Sequence, residues 1–199
     1  MRLAIVNTRC ANLASVKFAF ERLGETPIIT ADSRVLSEVD RVVLPGVGTA
    51  GEAMRALAEL DIIDTLQTLT QPVLGICLGM QLLSQQSAES RSEKVRCLGV
   101  IDTEVQRLQQ KDQLPLPHMG WNRTKVSEHA LFKGLDNPWF YYVHSYAAPV
   151  SGATIARCEY TQDFSAAIAN GNFMGVQFHP ERSGSDGAKV LKNFMEISC

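Results

Sequence analysis

The chain has 199 residues, 45% of them apolar and 20% charged, with a net charge of −2. That composition predicts one globular domain spanning 1–199 with a sizeable core. It excludes a disordered chain, gives no general attraction to nucleic acid or anionic membrane, and contains no apolar run near the ~20 residues that cross a bilayer.

The opening MRLAIVNTRC lacks the long apolar stretch of a signal peptide, and Leu3–Val6 reads instead as a short buried strand; a cytoplasmic protein is expected. Asn12 is placed to cap a helix in which Leu13, Val16, Phe20 and Leu23 recur at helical spacing, with Gly24 as terminator. Thr26–Thr30 and Arg41–Leu44 are further strand candidates. A helical stretch rich in Ala, Leu and Met runs from about Gly51 to Leu69. Pro72–Ile76 is again a strand, followed by a helix from Leu78 to Gln86. Strand–helix alternation of this kind argues for a parallel sheet with helices on both faces.

The second half is richer in strands. The loop around Gln109–His118 is the most irregular segment. The apolar runs Phe164–Ala169 and Asn172–Phe178 flank Asn170-Gly171, the strongest short signal for a hairpin. A last helix from Ser185 carries Val190, Phe194 and Ile197 on one face. The five cysteines, Cys10, Cys77, Cys97, Cys158 and Cys199, form no CxxC pair. A disulfide framework and a zinc ribbon are therefore not expected, and no cofactor or metal is implied.

One cysteine has distinctive surroundings. In Gly75-Ile76-Cys77-Leu78-Gly79 a strand runs straight into a helix, the pattern of a nucleophile elbow with cysteine at its centre. The tight turn needs small neighbours. It would hold the sulfur at the mouth of the sheet and aim the Leu78 N–H and the helix N-terminus at the same spot, which favours negative charge there. The pentapeptide alone fits a buried structural cysteine equally well. A nucleophile also needs a base, and His179 supplies a candidate after the apolar run ending at Phe178. Residues two apart in an extended segment project to the same side, so Glu181 would hold one ring nitrogen while the other faces the thiol. His118 and His129 lack such a setting and read as ordinary imidazoles. The loop Pro45-Gly46-Val47-Gly48 after a buried strand fits a phosphate cradle, half of an oxyanion hole, or an ordinary turn; the Lys-Ser/Thr of a P-loop is absent.

Together LPGVG, GICLGMQ and GVQFHPERSG resemble the class I, triad-type glutamine amidotransferases. Pro117–Asn122 (PHMGWN) and Tyr141–Tyr146 (YYVHSY) bring the closest likeness within that family to the glutaminase subunits of imidazole glycerol phosphate synthase. The resemblance covers essentially the whole chain. It implies a three-layer, flavodoxin-like α/β fold with a mostly parallel sheet. It implies Cys77 as nucleophile, His179 as base and Glu181 as orienter, with the Val47 and Leu78 N–H groups as oxyanion hole. Gly46 and Gln81 would lie around the bound glutamine, and His144-Ser145-Tyr146 would hold its α-amino and α-carboxylate ends. The resemblance further implies a heterodimer with a (β/α)₈-barrel cyclase that uses the ammonia in histidine biosynthesis; Asn12, in the loop after the first strand, and Trp121 and Arg182, close in sequence to the triad, are the candidates for its docking face. The family's acidic residue and glycine-rich turn after the first strand are replaced here by Asn7–Leu13, of which only Asn12-Leu13 match. Glutaminase subunits of pyridoxal phosphate or anthranilate synthesis are the nearest alternative, but their elbows differ from Met80-Gln81. A cysteine peptidase or deglycase, and a binding module with an inert triad, are the others.

Overall fold

The computed structural model describes residues 1–8, 12–89, 94–111 and 114–197; Arg9, Cys10 and Ala11 of the loop after the first strand, Asp112 and Gln113 of the irregular loop, and Cys199 lie outside them. In chain order the first half comprises β1 (Leu3–Val6), α1 (Leu13–Glu21), β2 (Ile28–Thr30), α2 (Ser33–Glu38), β3 (Arg41–Gly46), α3 (Ala50–Glu59), α4 (Ile63–Thr68), β4 (Val73–Cys77) and α5 (Leu78–Leu82). The second half comprises β5 (Gln86–Ser87), β6 (Val95–Arg96), β7 (Glu104–Arg107), β8 (His118–Arg123), β9 (Lys125–Val126), β10 (Trp139–His144), β11 (Tyr146–Ala147), β12 (Thr154–Glu159), β13 (Asp163–Asn170), β14 (Phe173–Val176) and α6 (Gly184–Glu196), with 3₁₀ turns at Ala130–Phe132, between β9 and β10, and at Pro180–Arg182, just before α6.

The central sheet runs β2-β1-β3-β4-β14-β13-β12-β9. Strands β2 to β14 in that order are parallel, and β13, β12 and β9 extend the sheet antiparallel. The expected parallel sheet therefore forms, with an antiparallel wing contributed by the strand-rich second half. The parallel strands are buried on both faces, and the alternation of side chains sorts their residues into two cores. Leu3, Ile5, Val43, Leu74 and Ile76 pack with Val16 and Phe20 of α1 and Val190 and Phe194 of α6. Ala4, Val6, Val42, Leu44 and Val73 pack with Leu36 of α2, Leu57 of α3 and Leu66 of α4. The result is helix–sheet–helix, the three layers expected. A β8–β10 hairpin and a small four-stranded sheet, β11-β7-β5-β6, cover the end where the parallel strands finish. Among the described residues no helix is long and apolar enough to cross a membrane.

Several boundaries depart from the sequence reading. The helix expected over 51–69 is two, α3 and α4. Asp61, at φ 54°, takes the left-handed position after α3. Its N–H donates to Ala58 O and that of Ile62 to Leu57 O, the paired bonds of a Schellman stop. Helix α5 ends at Leu82 and not at Gln86, because the Ser84 hydroxyl takes the Gln81 carbonyl at 2.6 Å and turns the chain toward β5. Helix α2 was not anticipated; Asp32 caps it by accepting from Arg34 N and Val35 N. The hairpin of β13 and β14 forms, but Asn170 pairs with Phe173, so its two-residue loop is Gly171-Asn172, with Gly171 at φ 56°.

Candidate active site

Strand β4 delivers Cys77 to the C-terminal edge of the sheet, and α5 starts at the next residue. Cys77 sits at φ 54° and ψ −111°, a conformation L residues rarely adopt. The flanking glycines make the turn possible. A Cβ on Gly75 would lie 2.6 Å from Gly79 O, and one on Gly79 would overlap Leu44 O of β3. These contacts clamp the elbow against β3, whose Gly46 pairs in register with Cys77. The sulfur is nearly buried, 3.9 Å from Val143 O and 3.9 Å from Gln177 Nε2.

His179 follows β14, and its N–H donates to Tyr141 O at 2.9 Å, tying it to β10. The imidazole shares a cleft with Cys77, and its Nδ1 lies 2.8 Å from Glu181 Oε1. Burial opposes charge on this ring. The proximity of Cys77 and the hydrogen-bonded carboxylate of Glu181 outweigh it and push His179 up to about 10. Glu181 does stand beside His179, though not through strand alternation. It lies in the 3₁₀ turn Pro180–Arg182, which folds its carboxylate back onto the ring. That carboxylate is almost fully buried, its Oε2 finding no partner among the described residues.

Cys77, His179 and Glu181 open into a cleft of about 300 Å³. Gly46, Val47 and Gly48 form one rim, Leu78 and Gln81 the floor, and Val143–Tyr146 the opposite wall; Asn12 and Arg182 also line it. The protein-family model for glutamine amidotransferase class-I matches residues 11–197. The chain is 53% identical over 200 residues to the imidazole glycerol phosphate synthase subunit HisH of Vibrio cholerae, covering 98% of each chain. The chain belongs to the class I glutamine amidotransferases, in their HisH group.

The HisH subunit of Shewanella loihica is 52% identical over 203 residues, covering 98% of this chain and 90% of that protein. The fold likeness extends further than the sequence. A crystal structure of a glutamine amidotransferase only 18% identical superposes with a TM-score of 0.75 over 97% of each chain. Membership in the HisH group sets aside the pyridoxal phosphate, anthranilate and peptidase alternatives.

Within this cleft the remaining sequence candidates separate. Gln81 is buried, and its amide nitrogen donates inward to Tyr146 O and Gln177 Oε1, both at 3.0 Å. His144 lines the wall, yet both its ring nitrogens are engaged by protein, Nδ1 with Tyr146 O and Nε2 with His118. Ser145 and Tyr146 are half-buried at the wall. Trp121 does not line the cleft. It is 53% exposed on β8, its ring 6.1 Å from that of Tyr141, over which Arg182 places its guanidinium at 4.6 Å. His118 and His129 are, as read from sequence, hydrogen-bonded within the protein. Sequence reasoning missed Glu89, which also lines the cleft. Burial raises its pKa, against the N–H of Ala50 at the start of α3, which it accepts at 3.2 Å. No motif surrounds it; only the fold brings it to the cleft.

Proposed function

We propose that the chain is the glutaminase subunit of an imidazole glycerol phosphate synthase, using Cys77, His179 and Glu181 to release ammonia from glutamine. The observation that carries this is the gathering of Cys77, His179 and Glu181 in one cleft, with His179 Nδ1 2.8 Å from Glu181 Oε1. The Cys77 thiolate attacks the side-chain carboxamide carbon of glutamine. The oxyanion is received by the N–H groups of Leu78 and Val47. His179, protonated, gives its proton to the departing nitrogen as the C–N bond breaks, leaving a γ-glutamyl thioester and ammonia. Water then loses a proton to His179 and attacks the thioester; the C–S bond breaks and glutamate leaves. Glu181 holds the ring. Glu89 offers a negative charge for the substrate's α-ammonium, and the 144–146 segment faces its other end.

Ammonia in water near neutral pH is mostly ammonium and no nucleophile, so release into solvent wastes it. The relatives' name, a subunit of imidazole glycerol phosphate synthase, supports a partner that consumes the ammonia. The partner proposed is a (β/α)₈-barrel cyclase making a heterodimer. The outward row of the β8–β10 hairpin suits its docking: Met119, Trp121 and Trp139 are 63%, 53% and 49% exposed, next to Arg182. The deciding experiment measures glutamine hydrolysis with and without the cyclase and its nucleotide ligand. Cys77→Ser should abolish it, while the cyclase still turns over with added ammonium salt. Normal hydrolysis by that variant would refute the assignment.

A further inference from the structure

The cleft wall is tied down by a hydrogen-bond chain that lies outside the triad. The backbone oxygen of Tyr146 accepts from His144 Nδ1 at 2.9 Å and from Gln81 Nε2 at 3.0 Å. A carbonyl only accepts, so this one atom sets the direction of everything attached to it. His144 must carry its proton on Nδ1, leaving Nε2 as an acceptor. The atom facing that nitrogen, 2.9 Å away, is His118 Nδ1, which must therefore donate. His118 Nε2 is then an acceptor in turn, and Asn122 Nδ2 lies 3.3 Å from it. On the other side the Gln81 nitrogen also reaches Gln177 Oε1, which turns the Gln177 NH₂ group toward Cys77 Sγ.

The two imidazoles are held tightly. His118 stacks between Tyr160 at 4.1 Å and Tyr142 at 4.8 Å, and both histidines are buried. Burial pushes His118 down to about 4; burial, with His118 beside it, pushes His144 down to about 3. Two uncharged rings in an aromatic box cost more to bury than apolar side chains of the same size unless every nitrogen is satisfied. Here each is, and the chain they complete has informative ends. One is Asn122, between exposed Trp121 and Arg123 on the hairpin; the other is the sulfur.

We propose that His118 and His144 are positioning residues for the glutaminase reaction. They form a directional relay that holds the Tyr146 carbonyl, and through Gln81 and Gln177 the Cys77 sulfur, in register with the exposed β8–β10 hairpin. The proposal rests on the glutaminase reading of the cleft. A displacement of the hairpin reaches the wall because neither histidine can follow it without stranding a buried nitrogen.

Two measurements test this. The first is independent of catalysis: long-range ¹H–¹⁵N spectra of the labelled chain near pH 6 report the tautomer of each histidine. Both rings should be neutral with the proton on Nδ1; a charged ring or an Nε2–H tautomer at either position overturns the relay. The second is kinetic, on the chain with its cyclase partner. His118→Phe keeps the stack and deletes both hydrogen bonds; it should raise KM for glutamine about tenfold, the effect of one net hydrogen bond, and blunt stimulation by the partner. His118→Asn, which keeps a donor toward His144, should recover most of the loss. Thr124→Val removes the buried 2.6 Å bond to the Tyr142 hydroxyl, off the relay; it should lower Tm and leave KM unchanged. An unchanged KM in His118→Phe, or an equal change in Thr124→Val, makes the pair merely structural. If the parent shows no Cys77-dependent turnover, the glutaminase reading fails, and the spectra still decide the relay.

Discussion

Cys77 occupies a left-handed backbone conformation that costs free energy, and the cost is localised where the sulfur must project. The same economy governs its partners: His179 is aligned by a backbone bond to Tyr141 and a side-chain bond to Glu181, so little reorganisation is left for the reaction. The two groups differ in what their loss removes. His179→Asn deletes the proposed proton carrier and should lower kcat by about 10⁴, the upper range for general acid–base catalysis. Glu181→Gln keeps the imidazole and an oxygen able to accept from Nδ1, and should cost about 10². Steady-state glutaminase assays of both variants decide the roles; a larger loss from the glutamate change would reverse them. The charge on His179 also sets a pH limit. Its folded value of about 10 lies above the ordinary 6.5, so its contribution to stability is full below pH 6.5 and fades as pH rises toward 10.

At the scale of elements, local signals carried the elbow and distant ones did not. The glycines of the Gly75–Gly79 turn and the Asn12 cap of α1 were legible because each acts on neighbours a few residues away. The break at Asp61 was hidden, since aspartate stands where glycine usually marks a helix stop. The pairing of His118 with His144, and the arrival of Glu89 at the cleft, depend on strand pairing that no local pattern encodes. The elbow's dependence on its glycines is testable. Gly79→Ala drives a methyl into Leu44 O and should destabilise the fold by about 3 kcal/mol or more, whereas Gly152→Ala, with open space around it, should be nearly neutral. Urea denaturation midpoints compare the two. The hairpin makes a second prediction. His118 and His144 are held at about 4 and about 3, below the 6.5 of an unfolded chain. Unfolded histidines bind protons below pH 6.5 while the buried pair does not. Stability should therefore fall on acidification from pH 6.5 toward 4, by up to about 1.4 kcal/mol per pH unit for each ring. Denaturation across that window, with His118→Phe for comparison, reads the slope; a slope unaffected by the substitution would contradict the assignment.

For the whole molecule, the question is how a subunit that makes ammonia avoids making it without a recipient. The layers place the triad at one end of the sheet, and the β8–β10 hairpin beside it turns Met119, Trp121 and Trp139 outward. Exposed aromatic side chains of this size are costly to leave in water and act as anchors once a partner covers them. The Arg182 guanidinium over Tyr141 joins that face to the turn carrying Glu181, so the proposed docking face and the proposed triad share a few residues of backbone. The Gly46–Gly48 rim provides a second route. Removing one oxyanion donor costs about 10²–10³ in rate, so, with the Val47 N–H in its proposed role, reorienting a single peptide there would suffice to switch the enzyme. The isolated subunit should then hydrolyse glutamine slowly, and the rate should climb steeply when the cyclase and its nucleotide ligand are both bound. Trp121→Asp should weaken association by about 30-fold or more, the scale of an aromatic hot spot, while far-ultraviolet circular dichroism stays unchanged because the ring packs at the surface, against Tyr141. At saturating cyclase the variant should recover much of its stimulation if the tryptophan only anchors, and remain slow if it also transmits the signal through the hairpin. Full activity of the purified subunit alone would remove the need for any switch, and leave the triad where it stands.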